Sequence, residues 1–338
     1  MLALTAALGA VAGAATPPPP LGVEVGGPPE DPAYLPVHAA LALGTFEAEG
    51  VTVTLRRAKH AADALGALRD GRADVAVTTL DQAVRGAWAR GTPVRLLLAH
   101  TRAPAAALLV SPSHRTRIGR VADLRGQRVG IPGPGTTGHF VLAALLAAHR
   151  MSPAQLELVS PGGAALATGL ADGTLAAAVV EEPWLGRILA AGVGELRADF
   201  RREQDTVRHL GGPFYEVVSI ARAEETALGR LEAALAAFAR AVIRVQAWLA
   251  ATPPAEVADT LPAGLVASRE HLVARLAAAR TALAPDGEAT VAGLAASLRV
   301  LRAGSSWPVT LKLAPEDLRE PAFVTAARAR LGSSPPPP

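Results

Sequence analysis

The chain has 338 residues, 50% of them hydrophobic, enough to bury a sizeable core and to build two lobes. Arginine far outnumbers lysine, but the net charge is only +3 and aromatic residues make up 4%, so neither a basic footprint nor a stacking surface points to nucleic acid. Cysteine is absent, which excludes disulfides, thiolate nucleophiles, cysteine–zinc sites and an amino-terminal cysteine carrying lipid.

Met1 to Ala15 is apolar and built of small residues. Ala12-Gly13-Ala14 or Gly13-Ala14-Ala15 satisfies a small-residue cleavage rule just before the proline linker at 16–20, although no positive n-region precedes them. Residues 1–15 therefore read as a signal-peptide-like segment of an exported, periplasmic protein without a lipid anchor. The run is shorter than the ~20 apolar residues that cross a bilayer, and no later stretch of that length lacks Arg, Asp or Gly-Pro breaks. Residues 332–338, closing on Pro335 to Pro338, have the composition of a disordered tail.

From Leu21 the pattern alternates between strands and helices. A first strand, Leu21 to Val25, exits into a loop holding Pro32, Ala33 and Tyr34; a helix follows, Gly44 turns it back, and Val51, Val53 and Leu55 mark the next strand. This is a strand–helix–strand unit of a parallel sheet, whose ligands sit beyond the carboxyl ends of the strands. The second unit has a helix over His60 to Arg69 closed by Gly71, a strand from Asp74 to Val77, and the pair Thr78-Thr79. A helix over Leu80 to Arg90 leads to a strand over Pro93 to His100 and to Thr101-Arg102. Threonine at these exits serves a helix N-cap as readily as a ligand, but its recurrence on one side of the sheet favours the ligand for Thr78, Thr79 and Thr101.

Ala105 to Ser111 reads as a crossover strand, because beyond it the pattern restarts. Val121 to Ile131 ends in a strand, Pro132 to His139 is a glycine-rich turn, and a helix runs on through Arg150. Such a turn leaves free amide N–H groups and the positive helix end facing a cleft, so Gly135, Thr136, Thr137, Gly138 and His139 are candidate ligand residues. It is not a Walker loop, which needs Gly-Lys-Ser/Thr. A strand at Leu156 to Val159, a helix around Ala164 to Ala171, Asp172-Gly173 and a strand over Leu175 to Val180 end in Glu181-Glu182-Pro183-Trp184. Glu181 is assigned to the ligand and Glu182 to the helix start after it. Gly194 to Pro213 reads as irregular, Phe214 to Ala221 as a return strand, and helices follow over Glu224 to Ala251, Ser268 to Leu283, Gly287 to Arg302 and Pro315 to Leu331.

Three stretches, Asp31 to Thr54, Val121 to His139 and Leu170 to Trp184, together carry a resemblance. The chain resembles periplasmic solute-binding proteins of the nitrate, sulfonate, taurine and thiamine-precursor type, which feed ABC importers. Phe323 to Ala327 is similar to the closing helix of that family, and Ala177 departs from it where an Asp is usual. The resemblance implies an α/β, two-lobe periplasmic-binding-protein-like (type II) fold with a hinge and C-terminal helices. Residues 21–104 would begin lobe 1, 105–213 would form lobe 2, and 214–331 would supply the return strand and C-terminal helices.

It also implies a monomer without cofactor or metal that is not an enzyme, closes on a small polar solute, and hands it to an ABC permease and ATPase. Pro32, Ala33, Tyr34, Thr78, Thr79 and Thr101 would face Thr136, Thr137, His139 and Glu181 across the cleft. The alternatives are an enzyme on the same fold, similar to thiamine-pyrimidine synthases or chorismate dehydratases, and a solute-sensing domain. The synthases' cysteine-rich signature is absent here. Ser219 has no Gly-x-Ser-x-Gly elbow and the histidines show no metal-ligand pairing. A neutral heterocycle, a zwitterion or an organic anion fits the solute class. With no lysine in the loops and an acid at Glu181, the first two fit better than a bare inorganic anion.

Overall fold

The computed structural model describes residues 20–89, 93–226, 231–305, 307 and 313–331. The signal-like segment, most of the proline linker and the tail lie outside the described residues. Alternating apolar positions build the first strand: Leu21, Val23 and Val25 are fully buried while Gly22 and Glu24 are less so. The first sheet takes β1 (Leu21–Val25), β2 (Val53–Arg57), β3 (Val75–Thr79) and β4 (Val94–Ala99). The second takes β5 (Ala106–Val110), β6 (Arg128–Gly130), β7 (Glu157–Val159), β8 (Ala177–Glu181) and β9 (Glu195–Asp199), and β10 (Val217–Arg222) returns to the first.

Each sheet has five strands among the described residues, in the orders β2-β1-β3-β10-β4 and β7-β6-β8-β5-β9. The strand that follows each crossing lies antiparallel between two neighbours: β10 between β3 and β4, β5 between β8 and β9. Both read as continuous apolar runs because both of their faces are covered, and all five residues of β5 are buried. The expected two-lobe α/β architecture is thus present. The chain passes between sheets once through 100–105 and once through 200–216.

Several elements differ from the sequence reading. Gly194 to Pro213, expected to be irregular, contains β9 and a helix over Glu203–Leu210. β9 is an edge strand whose Leu196 is 39% exposed, so it lacks a clean apolar alternation. The helix buries only Thr206 and Leu210, yet Glu203 and Asp205 in its first turn and Arg208 and His209 in its last match the helix dipole. The helix expected from Glu224 is a short turn, Ala223–Thr226, and a separate helix, Glu232–Ala251. Pro321 divides Pro315–Leu318 from Pro321–Leu331, and Pro254 opens an unexpected helix, Pro254–Thr260.

The helix expected from Gly287 begins at Val291, since Gly287 has φ +66° and Thr290 is the N-cap, accepting from the Gly293 N–H at 3.0 Å. Val291–Gly304 does not pack on the first sheet; it lies along Thr137–Ala148, the helix that follows β6. A Cβ on Gly304 would fall 2.9 Å from the Phe140 ring, so the glycine permits that approach.

Glu232–Ala251 has the length and mean apolar character of a membrane span, but Arg240 and Arg244 interrupt it, as the sequence reading of later stretches expected. Its apolar side is instead buried in the first lobe, where Phe238 stacks on Phe46 at 5.5 Å between centroids. Arg240 and Arg244 on it clasp Glu49 at 2.8 and 2.6 Å.

Candidate functional site

The loops at the carboxyl ends of β1, β3, β4 and β8 enclose a cavity of about 360 Å³ between the two sheets. Asp31, Pro32, Ala33 and Tyr34 come from the loop after β1, Thr79 ends β3, and Thr101 follows β4. Glu181 ends β8, with Glu182 and Pro183 beyond it, while Ala105 and Glu216 lie in the two crossings. Arg275 and Ala279, on the helix Arg269–Ala279, complete the wall.

Tyr34 is held by the backbone beneath it. A Cβ on Gly27 would fall 2.3 Å from the Tyr34 ring, so the ring lies against a residue that has to be glycine. His38 Nε2 bonds the Gly27 carbonyl at 3.0 Å and fixes that loop; burial pulls its pKa down. Asp31 Oδ1 accepts from the Ala33 N–H at 3.0 Å, its carbonyl accepts from the N–H groups of Tyr34 and Leu35, and burial raises its carboxyl pKa against the opposing pull of Ala33 and Arg275. Arg275 is itself anchored to the Glu30 carbonyl at 3.0 Å.

Two further carboxyls face the cavity from hydrogen-bonded seats. Gly138 N–H donates to Glu181 Oε1 at 2.5 Å, and burial raises the Glu181 pKa despite that bond and one from Thr136. Glu216 accepts from Thr137 Oγ1 at 2.7 Å and from the Ala105 N–H at 3.2 Å. Burial, helped by the charge of Glu181, pushes Glu216 up to about 7. Glu182 accepts from the Gly186 N–H at 3.1 Å, as its helix-start assignment requires, and pairs with Arg201 at 3.0 Å.

Of the twelve residues singled out in the sequence, Pro32, Ala33, Tyr34, Thr79, Thr101 and Glu181 line the cavity, and Thr78, Gly135, Thr136, Thr137, Gly138 and His139 do not. Strand alternation turns Thr78 inward, where its hydroxyl donates to the Ala61 carbonyl at 2.7 Å. Thr136 is the N-cap of Thr137–Ala148, accepting from the His139 N–H and donating to the Gly133 carbonyl. His139 Nδ1 accepts from the Gly135 N–H at 3.1 Å, and burial lowers its pKa. The helix end expected to meet an anionic group is therefore occupied by the carboxylate of Glu181. Thr101 lines the cavity but spends its hydroxyl on the N–H groups of Glu216 and Val217 at 2.9 and 3.1 Å, and Thr79 bonds Asp81.

Asp31, Glu216 and Arg275 were missed. Asp31 opens the loop already assigned to the ligand, and Glu216 is a lone acid in the Phe214 to Ala221 stretch expected as the return strand, so both left a signal. Arg275 left none among the arginines of the C-terminal helices. Trp184 packs over Gly163, where a Cβ would fall 2.0 Å from its ring, rather than lining the cavity.

Among the described residues, the walls carry four carboxyls against one guanidinium, and no Ser, His or Lys lines them. Such a site can receive a protonated nitrogen or donate from a neutral carboxyl. Neither close serine–histidine pair among the described residues lines the cavity: Ser113 Oγ and His114 Nδ1, 3.0 Å apart, are exposed, and His100 Nε2 and Ser219 Oγ, 2.7 Å apart, are fully buried, where desolvation lowers the His100 pKa to about 3. Among the described residues no cluster of His, Asp and Glu is placed to hold a metal.

The architecture recurs in solved structures. A protein of Bordetella bronchiseptica RB50 is 24% identical, over 92% of this chain and 97% of its own, with a TM-score of 0.70. The periplasmic sulfonate-binding protein SsuA of Methylobacillus flagellatus KT is 14% identical, over 95% and 97%, with a TM-score of 0.72. The periplasmic nitrate-binding protein NrtA of Synechocystis PCC 6803 is 14% identical, over 92% and 89%, with a TM-score of 0.64. No curated protein sequence matches the chain. The NMT1/THI5-like family model matches residues 31–256, which span both sheets and both crossings, and the chain belongs to that family.

Proposed function

We propose that this protein is the periplasmic solute-binding component of an ABC importer, closing its two lobes on a small polar solute that bears a nitrogen. The observation that carries this reading is the single cavity walled by both sheets and both crossings, since a ligand stabilises a closed state only by touching both sides at once. SsuA and NrtA, binding proteins with the same architecture, support a binding role, and the lack of a nucleophile–base pair on the walls supports binding without catalysis.

The charge on the walls sets the solute class. A bare anion meets Asp31, Glu181 and Glu216 in a desolvated space with Arg275 as the one lining cation among the described residues, and the amides that would have held it already hold Glu181. A zwitterion or nitrogen heterocycle fits better, its N–H or ammonium against the carboxyls, its acceptor toward Arg275 and one face under Tyr34. A thermal-shift panel of amino acids, betaines, aminopyrimidines, nitrate and alkanesulfonates tests this, followed by small-angle scattering with the best compound. The expected result is a rise in melting temperature confined to nitrogen-bearing solutes, a smaller radius of gyration on binding, and recovery of the compound unchanged. Chemical conversion of the bound compound would contradict the non-enzymatic reading. Amino-terminal sequencing of the native mature protein is expected to begin between Ala14 and Thr16; an intact Met1 would contradict export.

A further inference from the structure

A second cavity, of about 250 Å³, shares no residue with the one between the lobes. Its floor is apolar, formed by Leu108 and Ala198 on β5 and β9 with Ile118 and Leu124. Its walls carry Arg120, Arg197, Arg208, His149 and His209, and among the described residues no carboxylate lines it.

Part of that charge is already matched. Arg120 pairs with Asp123 at 3.1 Å; Arg197 lies 3.5 Å from Glu195 and donates to the carbonyls of Ile118 and Arg115. Asp205 sits near His209. Arg208 has neither a hydrogen bond nor an ion pair with another described residue. His149 follows one helix, and Arg208 and His209 close another, so helix dipoles explain some of these cations. They do not explain the apolar hollow beneath these cations.

We propose that this cavity is a second ligand site, for an organic anion with an apolar body such as an arylcarboxylate. The carboxylate meets the unpaired Arg208, with Arg197 and His149 beside it, and the ring rests on Ile118 and Leu124. Guanidinium groups suit this role because they bind a carboxylate with two parallel N–H bonds. An apolar pocket with a few convergent polar groups is the usual form of a small-molecule site.

The test is titration of the full chain with phenylacetate and its uncharged analogue phenylacetamide, followed by calorimetry and by the imidazole C–H resonances of His149 and His209. Phenylacetate is expected to saturate with a Kd below about 1 mM and to shift both histidines, while phenylacetamide does neither. Arg208→Glu, at an exposed position, should weaken phenylacetate at least about tenfold and leave cleft ligands unaffected, and His149→Gln should weaken it less. Absence of saturation, equal binding of the amide, indifference to both substitutions, or loss of binding in Tyr34→Ala would each overturn the site.

Discussion

Glu216 concentrates the behaviour of the cleft in one side chain. It is a carboxyl placed where the chain crosses between sheets, tied to Thr137 on one side and Ala105 on the other, with its pKa raised from 4.5 to about 7 by burial and by Glu181. Such a group holds its proton in the folded state at a pH where the unfolded chain has lost it. Stability is therefore highest below about pH 4.5, as far as this group is concerned, falls as pH rises toward 7, and stays lower above. The loss is of order 2 kcal/mol, allowing for the solvent-lined cavity, and Glu216→Gln should abolish it in urea unfolding at pH 5 and pH 8. A pH slope unchanged by the substitution would contradict the assignment. A cationic ligand should also drive a proton off Glu216 near pH 7, seen as a calorimetric heat that changes with the ionisation enthalpy of the buffer.

Gly27 acts through Tyr34. Gly27→Ala is expected to push the ring off its seat and weaken cleft ligands about tenfold, with a stability loss of about 1–3 kcal/mol because the added methyl overpacks a buried contact. Unaltered affinity in this variant would show that Tyr34 does not cover the ligand.

At the scale of elements, Glu49 joins the end of a short helix, Thr45–Ala48, to the long helix Glu232–Ala251 through Arg240 and Arg244. Burial raises the Glu49 carboxyl pKa, but the hydrogen bonds and charges of the two arginines outweigh it and the pKa is lowered overall. Stability from this contact is present above the ordinary carboxylate pKa and lost as pH falls through the lowered one. Glu49→Gln, which leaves two half-buried guanidiniums without their partner, should cost about 3 kcal/mol at pH 7 and much less at pH 3. Equal losses at both pH values would assign the effect to packing instead.

Much of this level was legible in the sequence. Val51, Val53 and Leu55 alternate as a strand must, Gly71 and Gly173 close helices, and the restart after Ser111 marks the second sheet. The site was half legible, because strand ends name the loops but not which residue of a pair points outward: Thr79 reaches the cavity and Thr78 does not. The bond from Gly138 to Glu181 spans 43 residues and exists only once β6 and β8 are neighbours. No local pattern could show that this helix end was already filled. β9 escaped notice because an edge strand need not alternate.

For the whole molecule, the two sheets are linked by more than their crossings. Thr137 bonds Glu216 across the cleft, Arg85 lies 5.8 Å from the Phe140 ring, and Val291–Gly304, which follows segments bound to β4, packs on Thr137–Ala148. In the proposed closure this C-terminal helix would move with the second lobe. The central claim is that the space so enclosed is built for a nitrogen-bearing polar solute. Calorimetric titration of the native protein and Glu181→Gln with the best amine or heterocycle from the panel, with nitrate and with a simple alkanesulfonate tests it most directly. The account predicts that the nitrogen-bearing compound binds the native protein most tightly and loses about tenfold or more in the variant. Tighter binding of nitrate or the sulfonate than of any nitrogen-bearing compound, in both proteins, would contradict it.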